Sequence, residues 1–473
     1  MNLLFQFSTV FCSLLTYPYV SRILTSQGMG RVSFAVSFTE YFGLIAMLGI
    51  PTYGIRACAR VLEDWKALSK TIQELFFLQF LMTGIALGCF LSAVATVPML
   101  RQEKELYCIQ AIVLVLNAFN LDWVYAALEQ YDFIAIRTLC IRLIAVVCTF
   151  CLIHEKADYI KYALIMMLVN AVTQGVNLFS IRKYISFHFG KTFVPFRHIK
   201  PMFFCFGQAA AITVYTNLDI VMLGFFLGEE AVGIYNAAVR VKMILVHFIT
   251  ALGSVIFSRL SYYIKAGKQE QTAKVIRIAL KFVLFLAACF FIFFAVEAKD
   301  CILLLSSREY LGAVSSMRML MLTLLFIGCS NITGYGILMP TGREKQMLIS
   351  VCAGAMADLI LNAVLIPKFG ILGAAIGTVC AEIAVIGVQM GYIWKEWKLY
   401  FSHLRMVKIM IAVVLGFIIL LGMQRLAINN TFLRFAVYVF VGTVGNSCFC
   451  GAFWGLGAAL VIPRGSPFTK SFF

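Results

Sequence analysis

From its first residues to Val461 the chain is a succession of apolar runs, each of about 20 residues, the length that carries a helix across the hydrocarbon of a bilayer. Fourteen such windows can be placed, near 2–20, 33–55, 73–97, 107–128, 136–154, 159–180, 203–227, 237–258, 278–297, 317–339, 348–366, 371–393, 405–423 and 435–462. The runs are continuous, about twice as long as a barrel strand, and lack strict alternation, so helices are expected rather than a β-barrel. Composition agrees: only 13% of the residues are charged, about half the share that a water-facing surface carries. No polar stretch is long enough for a separate catalytic or nucleic-acid-binding domain.

The net charge of +17 is the second constraint. Sorted by loop, 24 of the 39 Lys and Arg residues follow even-numbered spans and 12 follow odd-numbered ones, while Arg142, Arg240 and Lys242 fall in or at the start of spans. Cytoplasmic loops are the basic ones, so both termini are expected in the cytoplasm and the chain in the cytoplasmic membrane. Fifteen cysteines are scattered through apolar runs (Cys12, Cys58, Cys89, Cys140, Cys148, Cys289 and Cys352 among them) and read as small buried side chains. Cys448 and Cys450 are too closely spaced for structural zinc, and neither a metal nor a cofactor is expected. Met1 to Val20 lacks a basic start and is followed by further spans, which argues against a cleaved leader.

A basic linker, Arg182 to Pro201, divides spans 1–6 from the rest, and an internal repeat follows the division. Leu24, Gly30 and Ala35 keep the spacing L-x5-G-x4-A after span 1, and Leu227, Gly233 and Ala238 keep it after span 7. An offset of six spans preserves orientation, so the halves are expected to be related by an axis along the membrane normal, with substrate between them. The organisation expected is an N-terminal lobe at 1–195, a C-terminal lobe at 196–400 and two additional spans at 401–473.

Several stretches resemble the Wzx-type polysaccharide flippases of the multidrug/oligosaccharidyl-lipid/polysaccharide exporter superfamily. They are Pro18-Tyr19-Val20-Ser21-Arg22-Ile23-Leu24, Gly49-Ile50-Pro51-Thr52-Tyr53-Gly54-Ile55-Arg56, and Leu121-Asp122-Trp123-Val124-Tyr125 with Glu129, Tyr131 and Arg137. In the second half they are Asn217-Leu218-Asp219, Met222-Leu223-Gly224, Gly233-Ile234-Tyr235-Asn236-Ala237-Ala238, and Asn362 with Ile366-Pro367, Gly370 and Gly373-Ala374-Ala375. One departure is Thr25, where the family commonly has glycine. The resemblance implies an all-helical transporter of two six-helix lobes plus two C-terminal helices. It implies that polyprenyl-pyrophosphate-linked oligosaccharide is moved from the cytoplasmic to the outer leaflet, by alternating access driven by H+ or Na+. Membrane lipids and the glycan polymerase machinery are the partners it implies, and no enzymatic step.

A pyrophosphate group asks for cations, which makes Arg22, Arg56, Arg60, Arg142, Arg240 and Lys242, in spans or at their ends, candidate substrate ligands. The same residues could snorkel to headgroups or pair with acids. Carboxylates at span depth are costly and mark ion pathways or structural pairs. Asp122, Asp219, Glu40 and Asp358 are the ion-coupling candidates, with Glu382 beside them and His247 read as a helix-interface residue. Gly49 with Pro51, and Gly336 with Pro340, could act as hinges or as static kinks. Two other functions fit a polytopic chain. A multidrug and toxin extrusion-type antiporter would favour acids and aromatics over these cations. A membrane glycan polymerase or ligase would need a larger outer loop than Glu297 to Arg318.

Overall fold

The computed structural model describes residues 2–181, 193–396 and 399–400, with positions 417, 418 and 422. The two expected spans at 405–423 and 435–462, with Cys448 and Cys450, lie outside the described residues apart from those three positions. Among the described residues every regular element is helical: α1 (Asn2–Met47), α2 (Ile50–Ala59), α3 (Trp65–Thr96), α4 (Pro98–Gln102), α5 (Lys104–Asn117), α6 (Asp122–Ala127), α7 (Tyr131–Leu152), α8 (Tyr159–Ser180), α9 (Ile199–Leu227), α10 (Glu229–Lys265), α11 (Gln269–Val296), α12 (Ala298–Leu305), α13 (Ala313–Asn331), α14 (Glu344–Phe369) and α15 (Ile371–Tyr392). Among the described residues eleven helices are long and apolar enough to cross a membrane. They account for the first twelve expected spans, because the first two run together as one helical segment, Leu14–Ala59.

The chain divides into two compact units, Met1–Ala237 with Leu304–Leu311, and Ala238–Leu303 with Gly312–Phe473. The first unit is built around α1, which packs on α3, α5, α7 and α9. Its largest core joins α2, α3 and α6 through Ile50, Cys58, Leu68, Ile72, Leu75, Leu78, Trp123, Val124 and Tyr125, all buried. A second, aromatic core stacks Phe38 of α1 on Phe42, Phe90, Tyr107 and Phe225, with centroids 5.2–6.4 Å apart, the spacing at which edge-to-face rings attract. Asp64 caps α3 by accepting from the amides of Lys66 and Ala67 at 2.9 and 3.2 Å, which satisfies donors a helix start leaves open.

The fourth expected span is broken. Between α5 and α6 the chain leaves helical bonding, and the amide of Gln79, fully buried on α3, donates to the carbonyls of Asn117, Ala118 and Asn120 at 2.9, 3.2 and 3.1 Å. Non-helical backbone is tolerated at membrane depth only when such partners are supplied. Both hinge candidates also fall on real departures from α-helix. Gly49 has φ 74°, and Gly336 lies in a π-helical turn, Ile332–Leu338.

In the second unit α14 and α15 form a tight pair, packed beside α13, which lies against α11. Gln389 links three elements here, donating to Ser350 Oγ at 3.2 Å and accepting from Thr333 Oγ1. At the far end Arg343 Nη2 donates to both carboxylate oxygens of Glu396 at 2.8 and 3.0 Å, a charge-assisted contact.

Candidate functional site

The repeat read from Gly30 and Gly233 is a physical contact in the first unit. Each repeat opens with an elbow between helices, at Thr25 (φ 63°, ψ 176°) and at Gly228 (φ 86°, ψ 179°). Five residues past each elbow is a glycine. A Cβ on Gly30 would lie 1.7 Å from the carbonyl oxygen of Glu229, and one on Gly233 would lie 1.8 Å from that of Ser26. The contacts are reciprocal: residue 30 meets 229, residue 233 meets 26, and both pairs exchange under the repeat offset. Three residues on, Asn236 Nδ2 donates to Ser33 Oγ at 2.6 Å, joining two positions 203 apart. A local two-fold axis therefore passes between the two glycines, and the backbones approach so closely that no side chain fits.

Along the helices that leave these elbows, polar groups meet at span depth. Asn217 Nδ2 donates to Glu40 Oε2 at 2.7 Å, between α9 and α1. Glu40 remains exposed, and a carboxylate exposed at this depth needs a water-filled cavity rather than lipid. Asp219, buried, accepts from the Tyr235 hydroxyl at 2.6 Å. Asp122 begins α6 and accepts from Arg137 Nη1 at 3.0 Å and from Asn177 Nδ2 at 2.9 Å. Arg137, which the loop count treats as a surface cation, is buried, and it also donates to Asn177 Oδ1.

Where the odd-numbered spans end, the sequence reading missed a four-residue cluster. Arg31 lies 3.1 Å from Glu103 Oε1 and 2.9 Å from Glu229 Oε2. Its guanidinium carbon stands 5.1 Å from the centre of the Tyr159 ring, and the Tyr159 hydroxyl donates to Glu103 Oε2 at 2.8 Å. Four connections, after spans 1, 3, 5 and 7, are tied together here. In the sequence these residues are scattered loop charges, and the one signal is the repeat itself, since the partner of Arg31 under the offset is Ile234.

The cationic candidates are not gathered into one group. Arg22 is exposed and donates to the carbonyls of Leu304 and Ser306 at 2.8 and 3.1 Å, where it caps the end of α12. Arg56 and Arg60 are exposed in the last turn of α2 and at its C-cap. The helix from residue 26 to 47 separates Arg22 from these two by roughly 30 Å at 1.5 Å per residue. Arg142 is half-buried on α7, and Arg240, exposed, and Lys242, half-buried, lie on α10 in the second unit. Asp358 and Asn362 are buried on α14, with Gly377 of α15 packed against the Asn362 side chain. Glu382 is buried on α15, and His247 is exposed. Among the described residues no group of three His, Cys, Asp or Glu side chains is placed to hold a metal ion.

Comparison with known proteins places this geometry. The family model described as polysaccharide biosynthesis protein matches residues 1–264, and the MatE model matches residues 205–364. A relative from Shigella dysenteriae, named as an O-antigen transporter, is 23% identical over 378 residues, which cover 78% of this chain and 92% of the relative. Among solved structures, the lipid II flippase MurJ in an inward closed conformation superposes with a TM-score of 0.68 at 16% identity, covering 97% of this chain and 100% of its own. An inward-facing multidrug-resistance MATE transporter superposes with a TM-score of 0.61 at 15% identity, covering 84% and 96%.

Proposed function

Because this chain belongs to the polysaccharide biosynthesis protein family, the Wzx-type flippases of the multidrug/oligosaccharidyl-lipid/polysaccharide exporter superfamily, we propose that it moves polyprenyl-pyrophosphate-linked oligosaccharide from the cytoplasmic to the outer leaflet of the cytoplasmic membrane. The observation that carries the reading is Glu40: an exposed carboxylate held by Asn217 at span depth requires an aqueous path through the membrane. A multi-pass chain related to transporters, with its glycan headgroup in that path and its polyprenyl tail in lipid, meets the requirement. The basic loops put both termini in the cytoplasm. In that orientation Arg56 and Arg60, exposed at the inner end of α2, receive the pyrophosphate, and Arg142, Arg240 and Lys242 are further contacts along the route. Arg22 contributes at the outer end, where three of its five donors remain beyond those given to Leu304 and Ser306. Lobes at 1–195 and 196–400 alternate access, followed by spans 13 and 14, and coupling to H+ or Na+ runs through Glu40, Asp122, Asp219 and Asp358. The flipped unit passes to the glycan polymerase machinery outside.

A strain deleted for this gene, complemented with the chain, tests the reading. Wild type should clear lipid-linked glycan from the cytoplasmic leaflet, and Arg56→Glu with Arg60→Glu should leave it there. Normal export by the double variant would remove both arginines from the site. The MatE match over 205–364 supports a second reading, drug-cation antiport through the acids. It predicts raised resistance to cationic drugs with unchanged glycan export.

A further inference from the structure

The segment that enters the seventh span is tied to the third span by one carboxylate. Glu74 is fully buried on α3. Its Oε1 accepts from the backbone amide of Val194 at 3.0 Å, and its Oε2 lies 2.7 Å from Arg197 Nη2 and 2.9 Å from His198 Nε2. The other ring nitrogen of His198, Nδ1, is 2.9 Å from the hydroxyl of Tyr53, on α2. His198 is itself buried, whereas Arg197 is half-exposed. Apart from these partners, the charged and titratable groups facing the cluster are Lys70, with Nζ 3.9 Å from Glu74, and Arg60, Cys58 and Cys205 around Tyr53. Loop charge assigns this end to the cytoplasm.

We propose that Tyr53, His198 and Glu74 form a proton relay whose terminal site, Glu74, binds the ion that couples transport, and that protonating Glu74 releases the Val194–His198 segment. The proposal rests on the flippase reading and names its coupling ion as H+. The relay starts from the tautomer in which Nε2–H donates to Glu74 and Nδ1 accepts from Tyr53, and in that state Arg197 Nε, 3.3 Å from Nε2, does not donate to the ring. A proton arriving through the Tyr53 hydroxyl adds to Nδ1, and Nε2 gives its own proton to Oε2 of Glu74. The imidazole ends as the other tautomer, the carboxyl ends neutral, and no charge is left on the ring. A neutral carboxyl no longer holds Arg197 by charge and accepts the Val194 amide more weakly. The clamp then opens when Glu74 is protonated and closes when the proton leaves. Glu74 joins Glu40, Asp122, Asp219 and Asp358 on the coupling route and stands at its cytoplasmic end.

The test uses the full chain in liposomes that carry a pH dye and the lipid extract of the deletion strain. Wild type should move protons with glycan flipping. Glu74→Gln, fixed in the neutral form, should lose the proton signal while keeping the melting behaviour of wild type in detergent, and Glu74→Asp should recover part of it. Tyr53→Phe and His198→Asn should slow proton movement by about tenfold or more, in the range one general acid–base group contributes, and they decide the matter if Glu74→Gln does not fold. Proton movement at the wild-type rate in Glu74→Gln, or in both relay variants, overturns the inference. Glycan flipping by wild type with no proton signal overturns it too and leaves the flippase reading standing. Absence of flipping by wild type sinks the flippase reading itself.

Discussion

The two elbows that open the repeats share a backbone and differ in almost every side chain that matters. At Gly228 the left-handed φ falls on the one residue that adopts it without cost, and at Thr25 the same conformation falls on a β-branched side chain. Past the elbows the backbone contact is symmetric, Gly30 on Glu229 and Gly233 on Ser26, and the charge is not: Arg31 reaches two carboxylates, whereas Ile234 occupies the equivalent place. Symmetry therefore resides in the main chain, where packing demands it. Asymmetry resides in the polar groups, which a transporter with one inner and one outer face must distinguish.

The largest effects should come from breaking the shared part. Gly30→Ala and Gly233→Ala each drive a methyl onto a carbonyl oxygen and should cost about 3 kcal/mol or more each, since the obstructing atoms are backbone. Melting in detergent, or the yield of folded protein, measures it, and a large difference between the two variants would refute the two-fold contact. Next comes the asymmetric part. Arg31→Gln strands Glu103 and Glu229 and should cost about 2 kcal/mol, and Ile234→Arg should return none of it, because Ser26 stands where a carboxylate is needed. Restoring the missing symmetry should help: Thr25→Gly should raise stability by about 1 kcal/mol, and Gly228→Thr should lower it by at least as much. Smallest is the Ser33–Asn236 bond. Ser33→Ala should cost about 1 kcal/mol, as one hydrogen bond does, with the Gly30–Gly233 contact intact.

The elbows also mark how far residues alone reveal this molecule. The spans were legible because a bilayer imposes one length on them, and the repeat was legible because close backbone contact leaves glycine no substitute. The join of the first two spans was not, since a single residue with positive φ does the work of the loop expected between them. Arg31 and Glu74 were invisible for a different reason. A charge in a loop or at a helix end acquires meaning only from which other segments meet it, and that is decided by packing against residues far along the chain. Arg22 also holds the carbonyls of Leu304 and Ser306, a contact that its motif does not announce.

The broken fourth span has a consequence for how the protein is made. Gln79 enters the bilayer with the third span, before the carbonyls of Asn117, Ala118 and Asn120 that it will serve, the first of them 38 residues further along the chain. Until they arrive its amide lacks these partners in hydrocarbon, and the fourth span, when it comes, brings non-helical carbonyls to which this amide adds bonds beside those from the Asn120 amide to Asn117 and from the Trp123 indole to Asn120. Each of the two segments is a poor lodger in lipid alone and a good one beside the other, so biogenesis must deliver them as a pair.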